Sequence, residues 1–256
     1  MRTLRLLAVG WKIHFKMIMR SAFDGVGQVI YPLFFATVAF FVFRAGDSPR
    51  TLLYASLGSA VMGMWSATST TAGSALQRER WQGTLEALVA TPANLALILL
   101  PVTIAMATIG IYSLVATLAW GRLLFGIHLT VVHPLYFVLS IPATVLTFGA
   151  LGFLFAVCFI RFRAAWALGN MFEYPVWLIC GFLVPLTFFP YWVRPISWIL
   201  APTWGMNAIR ESSLGGSPLP DLLMCFALGA VYIALGFIVM GRLLDAARKR
   251  AALSLT

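Results

Sequence analysis

Long stretches free of charge alternate with short clusters of arginine and lysine along this chain. Residues 25–43, 51–76, 87–121, 123–160 and 222–241 contain no Asp, Glu, Lys or Arg, and 164–187 is interrupted by Glu173 alone. An α-helix needs about 20 apolar residues to cross the hydrocarbon core of a bilayer. The pattern therefore predicts spans near 25–43, 52–76, 95–120, 135–159, 164–187 and 222–241. His133-Pro134 marks the start of the fourth. In hydrocarbon every backbone donor and acceptor needs a partner within the chain, which makes each span a helix. A β-barrel would need short alternating segments, and none are visible. The expected fold is an all-α integral membrane domain of six helices over 25–256, with a separate element before it.

That element is 1–24. On a helical wheel Leu4, Leu7, Ala8, Trp11, Phe15, Ile18, Met19 and Ala22 gather on one face, and Arg2, Arg5, Lys12, Lys16 and Arg20 on the other. This is the signature of an amphipathic helix lying in the inner interface, its cations toward anionic lipid headgroups. A snorkelling extension of the first span is the alternative. A signal peptide is disfavoured, because the apolar stretch 6–11 ends at Lys12 and an h-region needs about 7–15 residues. Between the fifth and sixth spans, 188–221 carries Pro190, Pro195, Pro202, Pro218 and Pro220 with Trp192, Trp198 and Trp204. It is too broken to span. Two short helices dipping into the outer interface, tryptophans at headgroup level, are predicted there.

Composition confirms the class: 61% of residues are hydrophobic and 10% charged, with mean hydropathy +0.92, whereas soluble domains are about 25% charged. The net charge of +10 does not indicate nucleic-acid binding, because the cations sit between apolar runs. It indicates orientation. With the N-terminus inside, 13 of the 18 basic residues fall on inner segments, and Arg44, Arg50, Arg122, Arg194 and Arg210 fall outside. The positive-inside bias thus puts both termini in the cytoplasm. The three cysteines, Cys158, Cys180 and Cys225, lie inside apolar runs without metal-ligand spacing and are expected as small buried apolar residues.

No catalytic constellation is present. The chain has no G-x-x-x-x-G-K-[ST] loop, no G-x-S-x-G elbow and no H-E-x-x-H. His14, His128 and His133 fall on different sides of the membrane in this topology and form no site. No bound cofactor and no metal are expected on this chain.

The most informative stretch is the inner loop 77–94, QRERWQGTLEALVATPAN. Arg78, Glu79, Arg80 and Glu86 can supply ion pairs that set register on a soluble partner. Gly83 permits a sharp break, Thr84 can cap a following helix, and Pro92 redirects the chain into the third span. A solvated charged loop is the alternative from the residues alone. The Arg78-Glu79-Arg80 cluster, the Gly83-Thr84-Leu85-Glu86 run, Leu88 and Thr91-Pro92 resemble the loop after the second span of ABC-2-type export permeases, of the daunorubicin-resistance-like group. Pro202-Thr203-Trp204 with Asn207-Ala208-Ile209-Arg210 resembles the family's outer-loop pattern. Trp81-Gln82 departs from it, since an acidic residue with a small or basic neighbour is commoner there. The resemblance covers the whole chain. It implies a dimer of permeases, two copies or a related pair, docked on two separate ATP-binding subunits that hold the ATP and Mg. It also implies an amphipathic cargo (drug, lipid or glycolipid), a bacterial inner membrane location, and a transport subunit with no ATPase site of its own.

Glu173 is the one ionisable residue inside a predicted span, near its middle. Such a group is costly and marks function by default. With Tyr174 and Asn170 it is a candidate for the translocation pathway, and Pro175 nearby removes a helical donor. The alternative is a structural acid bonded to a neighbouring helix. Two further readings compete with an ATP-driven exporter. An ion-coupled secondary transporter would use Glu173 as its proton site, and a membrane-embedded lipid-modifying enzyme lacks any nucleophile–base or metal set.

The topology is testable directly. A reporter fused after Arg250 should lie in the cytoplasm and one inserted near Ser48 outside; both on one side would refute the six-span arrangement.

Overall fold

The computed structural model describes residues 2–20, 22–44, 49–81, 83, 94–128, 130–160, 162 and 165–253. All regular structure among them is helical: α1 (Arg2–Arg20), α2 (Ala22–Arg44), α3 (Pro49–Trp81), α4 (Leu95–Phe125), α5 (Pro134–Phe159), α6 (Ala165–Ile179), α7 (Val193–Ile199), α8 (Ala201–Leu214) and α9 (Pro218–Leu253), with one 3-10 turn at Leu186–Phe188. Three of these, α4, α5 and Pro218–Ala246 of α9, are long and apolar enough to cross a membrane among the described residues. Large apolar side chains stand exposed along α2 (Ile30, Phe34, Phe41) and α9 (Leu223, Phe226, Ile238). That outside is the inverse of a soluble protein's and suits hydrocarbon.

The helix ends follow local chemistry. Asn94 caps α4, its side-chain oxygen accepting from the Ala96 amide at 3.0 Å, and Gly126 closes it in the left-handed region. Pro134 opens α5 at a first-turn position, where its missing N–H costs nothing.

The long helix α3 is the hub. It packs on α2, α4, α5, α6 and α8, while α9 packs on α5 and α8. The main core is built around Trp65 at its centre, edge-on to Phe148 of α5. On α1 part of the expected apolar face, Leu7, Phe15 and Ile18, turns toward protein, while Leu4, Ala8 and Met19 are exposed. Ile18 is buried with Met106 and Ile109 of α4, Leu7 packs beside Leu95 and Leu99, and the Trp11 indole donates to Thr108 Oγ1 at 3.1 Å. Arg5, Lys12, Lys16 and Arg20 are exposed.

Three expectations need correction. The fifth span was expected to run to residue 187, but α6 is 15 residues long and stops at Ile179. At about 1.5 Å per residue it covers roughly 22 Å, short of the about 30 Å hydrocarbon core. The helix runs through Pro175 and ends instead where Gly181 turns left-handed (φ 69°) ahead of Pro185. Cys158 was expected buried but is exposed on α5, unlike Cys180 and Cys225.

The third correction concerns 188–221. Two short helices do form there; α7 keeps Ile196, Trp198 and Ile199 exposed, whereas α8 packs into the protein. Gly205 of α8 lies against Thr144, ten residues or about 15 Å along α5 from its Pro134 end. Met206, Ala208 and Ile209 are fully buried. The α7–α8 break sits beside Tyr232, midway along α9, whose hydroxyl donates to the Ile199 carbonyl and accepts from the Ala201 amide at 3.1 Å. Ser197 and Thr203 clasp across the break, with Thr203 Oγ1 donating to the Ser197 carbonyl at 2.7 Å. This is a broken-helix hairpin packed on α5 and α9, re-entrant in that it turns back into the core, in which protein groups return the partners that the interrupted helix lost. Trp192 and Trp198 remain exposed.

Tyr232→Phe removes that hydroxyl and strands a buried carbonyl and amide, at about 1–3 kcal/mol each. The variant should unfold several degrees lower in detergent, whereas Tyr191→Phe, at an exposed ring, should leave the midpoint unchanged.

Candidate functional site

The residues singled out in the sequence fall at two levels of α3. At its end, α3 continues as unbroken helix through Arg78, Glu79 and Arg80 to Trp81. Gly83 follows, exposed, in a turn with φ 70° and nothing near its absent Cβ. A left-handed residue there is the sharp break expected of it. Thr84, Glu86 and Pro92, and the side chains of Arg78, Glu79 and Arg80, lie outside the described residues. From Pro49 to Trp81 the helix has 33 residues, or about 48 Å. It is therefore one continuous helix from the far end of the bundle to Trp81, two residues before the turn at Gly83.

At mid-height, Glu173 of α6 is buried and accepts a hydrogen bond from Ser66 Oγ of α3. It shares the inward face of α6 with Gly169, Val176 and Cys180, at spacings of three and four that place them on one stripe. Among the described residues it has no cationic partner. Tyr174 points the other way, half-exposed and edge-on to Trp177, and Asn170 is partly buried. The fold thus separates Glu173 from Tyr174 instead of joining them on one lining.

A third group escaped the sequence reading. Arg210, counted among the outer-loop charges, is buried in α8. Its Nη1 donates to the Gly181 carbonyl at 2.7 Å and its Nη2 to the Phe182 carbonyl. Its guanidinium lies 3.4 Å from the centroid of the Tyr54 ring on α3, a cation–π geometry. One side chain therefore ties the re-entrant hairpin to the frayed end of α6 and to α3. The approach is tight: a Cβ on Gly58 of α3 would fall 1.9 Å from the Phe182 oxygen, so glycine is required there. The signal in the sequence was present in the Asn207–Arg210 run but could not be told from a solvated charge. No group of three His, Cys, Asp or Glu that could hold a metal occurs among the described residues.

The geometry is that of a transport scaffold: apolar crossings, a re-entrant hairpin, and a long helix that ends in a charged turn. No curated protein matches the chain. The family model of the ABC-2 type transporter matches residues 5–214, from within the first turn of α1 to the end of α8. The chain belongs to the ABC-2 type transporter family and is a multi-pass membrane permease component of an ABC transporter.

Proposed function

We propose that this protein is the export permease of an ATP-driven transporter, moving an amphipathic drug, lipid or glycolipid out of the cytoplasm or inner leaflet. It works as a dimer with a second permease, on two separate ATP-binding subunits that carry ATP and Mg. It crosses a bacterial inner membrane several times, with both termini cytoplasmic. The observation that carries this reading is α3. It is a single helix whose end bears Arg78-Glu79-Arg80 and breaks at Gly83, and its body holds the core through Trp65, Ser66 and Tyr54. A partner that moves the charged turn on closing around ATP moves the hub of the bundle with it. Two-state motion of packed helices then switches the cavity between inward and outward access.

Glu173 serves this machine as a fixed acceptor joining α6 to α3 at Ser66. Its burial and its orientation away from Tyr174 support this role over a cargo contact or a proton site, and so favour the ATP-driven reading over an ion-coupled one.

Charge reversal tests the coupling turn. Arg80→Glu with Glu86→Lys should insert normally yet co-purify with several-fold less ATP-binding subunit and transport correspondingly less. Normal complex yield with full transport would reduce the turn to a solvated linker. At mid-height, Glu173→Gln keeps an acceptor for Ser66 and should be nearly silent for cationic and neutral cargo alike. Glu173→Leu leaves the Ser66 hydroxyl and the cavity shape mismatched and should lower the amount of folded protein. Transport rate per folded molecule decides: a Gln variant that fails only with cationic cargo would put Glu173 in the pathway.

A further inference from the structure

Two adjoining cavities open at the end of α3 remote from Trp81. The larger, about 640 Å³, is walled by Arg44 from the end of α2 and Arg50 from the first turn of α3, against Leu53, Phe125, Ile127 and Val132. The smaller, about 350 Å³, shares Arg50 and Leu214 with it and reaches inward to Tyr54 and Arg210. Pockets of a few hundred cubic ångströms, mostly apolar with a few convergent polar groups, are the usual shape of small-molecule sites.

The charge balance in these walls is one-sided. Arg44 and Arg50 are exposed at the rim, and neither side chain has a polar partner among the described residues. Arg210 at the inner end is buried, its charge met by carbonyls and a ring and by no carboxylate, and its Nε has no partner among the described residues. Glu211 is the one acid in the described walls, and its Oε2 accepts the Ser217 amide at 3.0 Å. Asp221 stands behind it, beside Asn207. The larger cavity has no acid in its described walls. Guanidinium groups beside apolar side chains want a planar or tetrahedral anion that they can hold with paired hydrogen bonds. The apolar wall opposite wants hydrocarbon. The combined volume suits a headgroup and the first carbons of its chains, not a whole lipid.

We propose that this double cavity binds the phosphate-bearing headgroup of an anionic amphiphile, with Arg44 and Arg50 on the phosphate and the Leu53–Phe125 wall on the adjoining hydrocarbon. The ligand comes from the bilayer leaflet on that side or is exported cargo arriving there; both present a phosphate on an apolar chain. The site stands apart from the export reading, because binding is a property of the permease alone.

The test uses the full chain purified in nanodiscs of phosphatidylcholine, with labelled phosphatidylglycerol as the probe. The wild type should retain phosphatidylglycerol about tenfold over labelled phosphatidylcholine, and Arg44→Gln/Arg50→Gln should bring that preference to within twofold. Arg122→Gln, an exposed cation outside both cavities, should leave it intact. Should the double variant fail to fold, each single variant carries the test with at least a threefold loss, and Arg50→Lys should restore part of it. An unchanged preference in the arginine variants, or an equal loss in Arg122→Gln, overturns the site. Displacement of the probe by inorganic phosphate at equal concentration overturns the amphiphile and leaves a site for a free anion. Within a supported site, a transport-competent complex distinguishes the sources. Phosphatidylglycerol whose occupancy of the site changes severalfold on ATP addition is cargo, and occupancy independent of ATP is leaflet lipid.

Discussion

A helix that stops inside an apolar environment strands its last carbonyls and its successor's first amides, and water is not there to take them. That constraint organises the half of this protein from α6 to α9. Where α6 ends, Gly181 and Phe182 direct carbonyls inward, and Arg210 supplies the donors. Where α7 gives way to α8, a single tyrosine hydroxyl on α9 serves both sides of the break. Each unmade bond of this kind would cost about 1–3 kcal/mol. The re-entrant hairpin therefore depends on residues far from it in sequence: Tyr54 and Gly58 on α3, Tyr232 on α9.

The same economy explains a buried arginine without a carboxylate. Placing a full ion pair at depth desolvates two charges, and the attraction often fails to offset that. Two carbonyl dipoles and a ring face leave one charge to stabilise and use it to hold three elements together. The arrangement sits at the inner end of the cavities whose rim carries Arg44 and Arg50. That end of α3 thus carries arginines both at the cavity rim and below it, which is the property the proposed headgroup site exploits.

At the opposite end α3 presents its charged turn. A helix of this length transmits rotation and tilt with little internal give, since its backbone bonds are made within itself. The Ser66–Glu173 contact lies near its middle, and Trp65 beside it fills the core. In the proposed mechanism, motion at Gly83 would reach α6 at Glu173 and α8 at Arg210. In a permease the elements coupled in this way are the ones that must change places between inward and outward states.

Much of the protein was legible in the order of its residues. Charge-free runs located α2 to α6 and α9. His133-Pro134 stands where α5 begins, and of the wheel's apolar face Leu7, Phe15 and Ile18 turn inward in the fold. These features are local: periodicity, caps and hydrocarbon length depend on neighbours within one helix. The turn at Gly83 was legible for the same reason, as a backbone property of glycine. What the sequence left open was every pairing across helices. Proline content showed that 188–221 is broken but not that it re-enters the core, because the groups that make re-entry tolerable belong to α3, α5 and α9. Arg210 read as an outer charge, since an arginine's partners, two carbonyls and a ring, carry no charge pattern that a linear reading detects. Glu173 was recognisable as exceptional, yet its partner Ser66, 107 positions away, and its separation from Tyr174 were decided by how α6 rotates against α3. Composition and spacing determined a multi-pass helical membrane protein with a charged turn. Only packing, which brings distant residues within bonding distance, decided which polar groups are satisfied, and by whom.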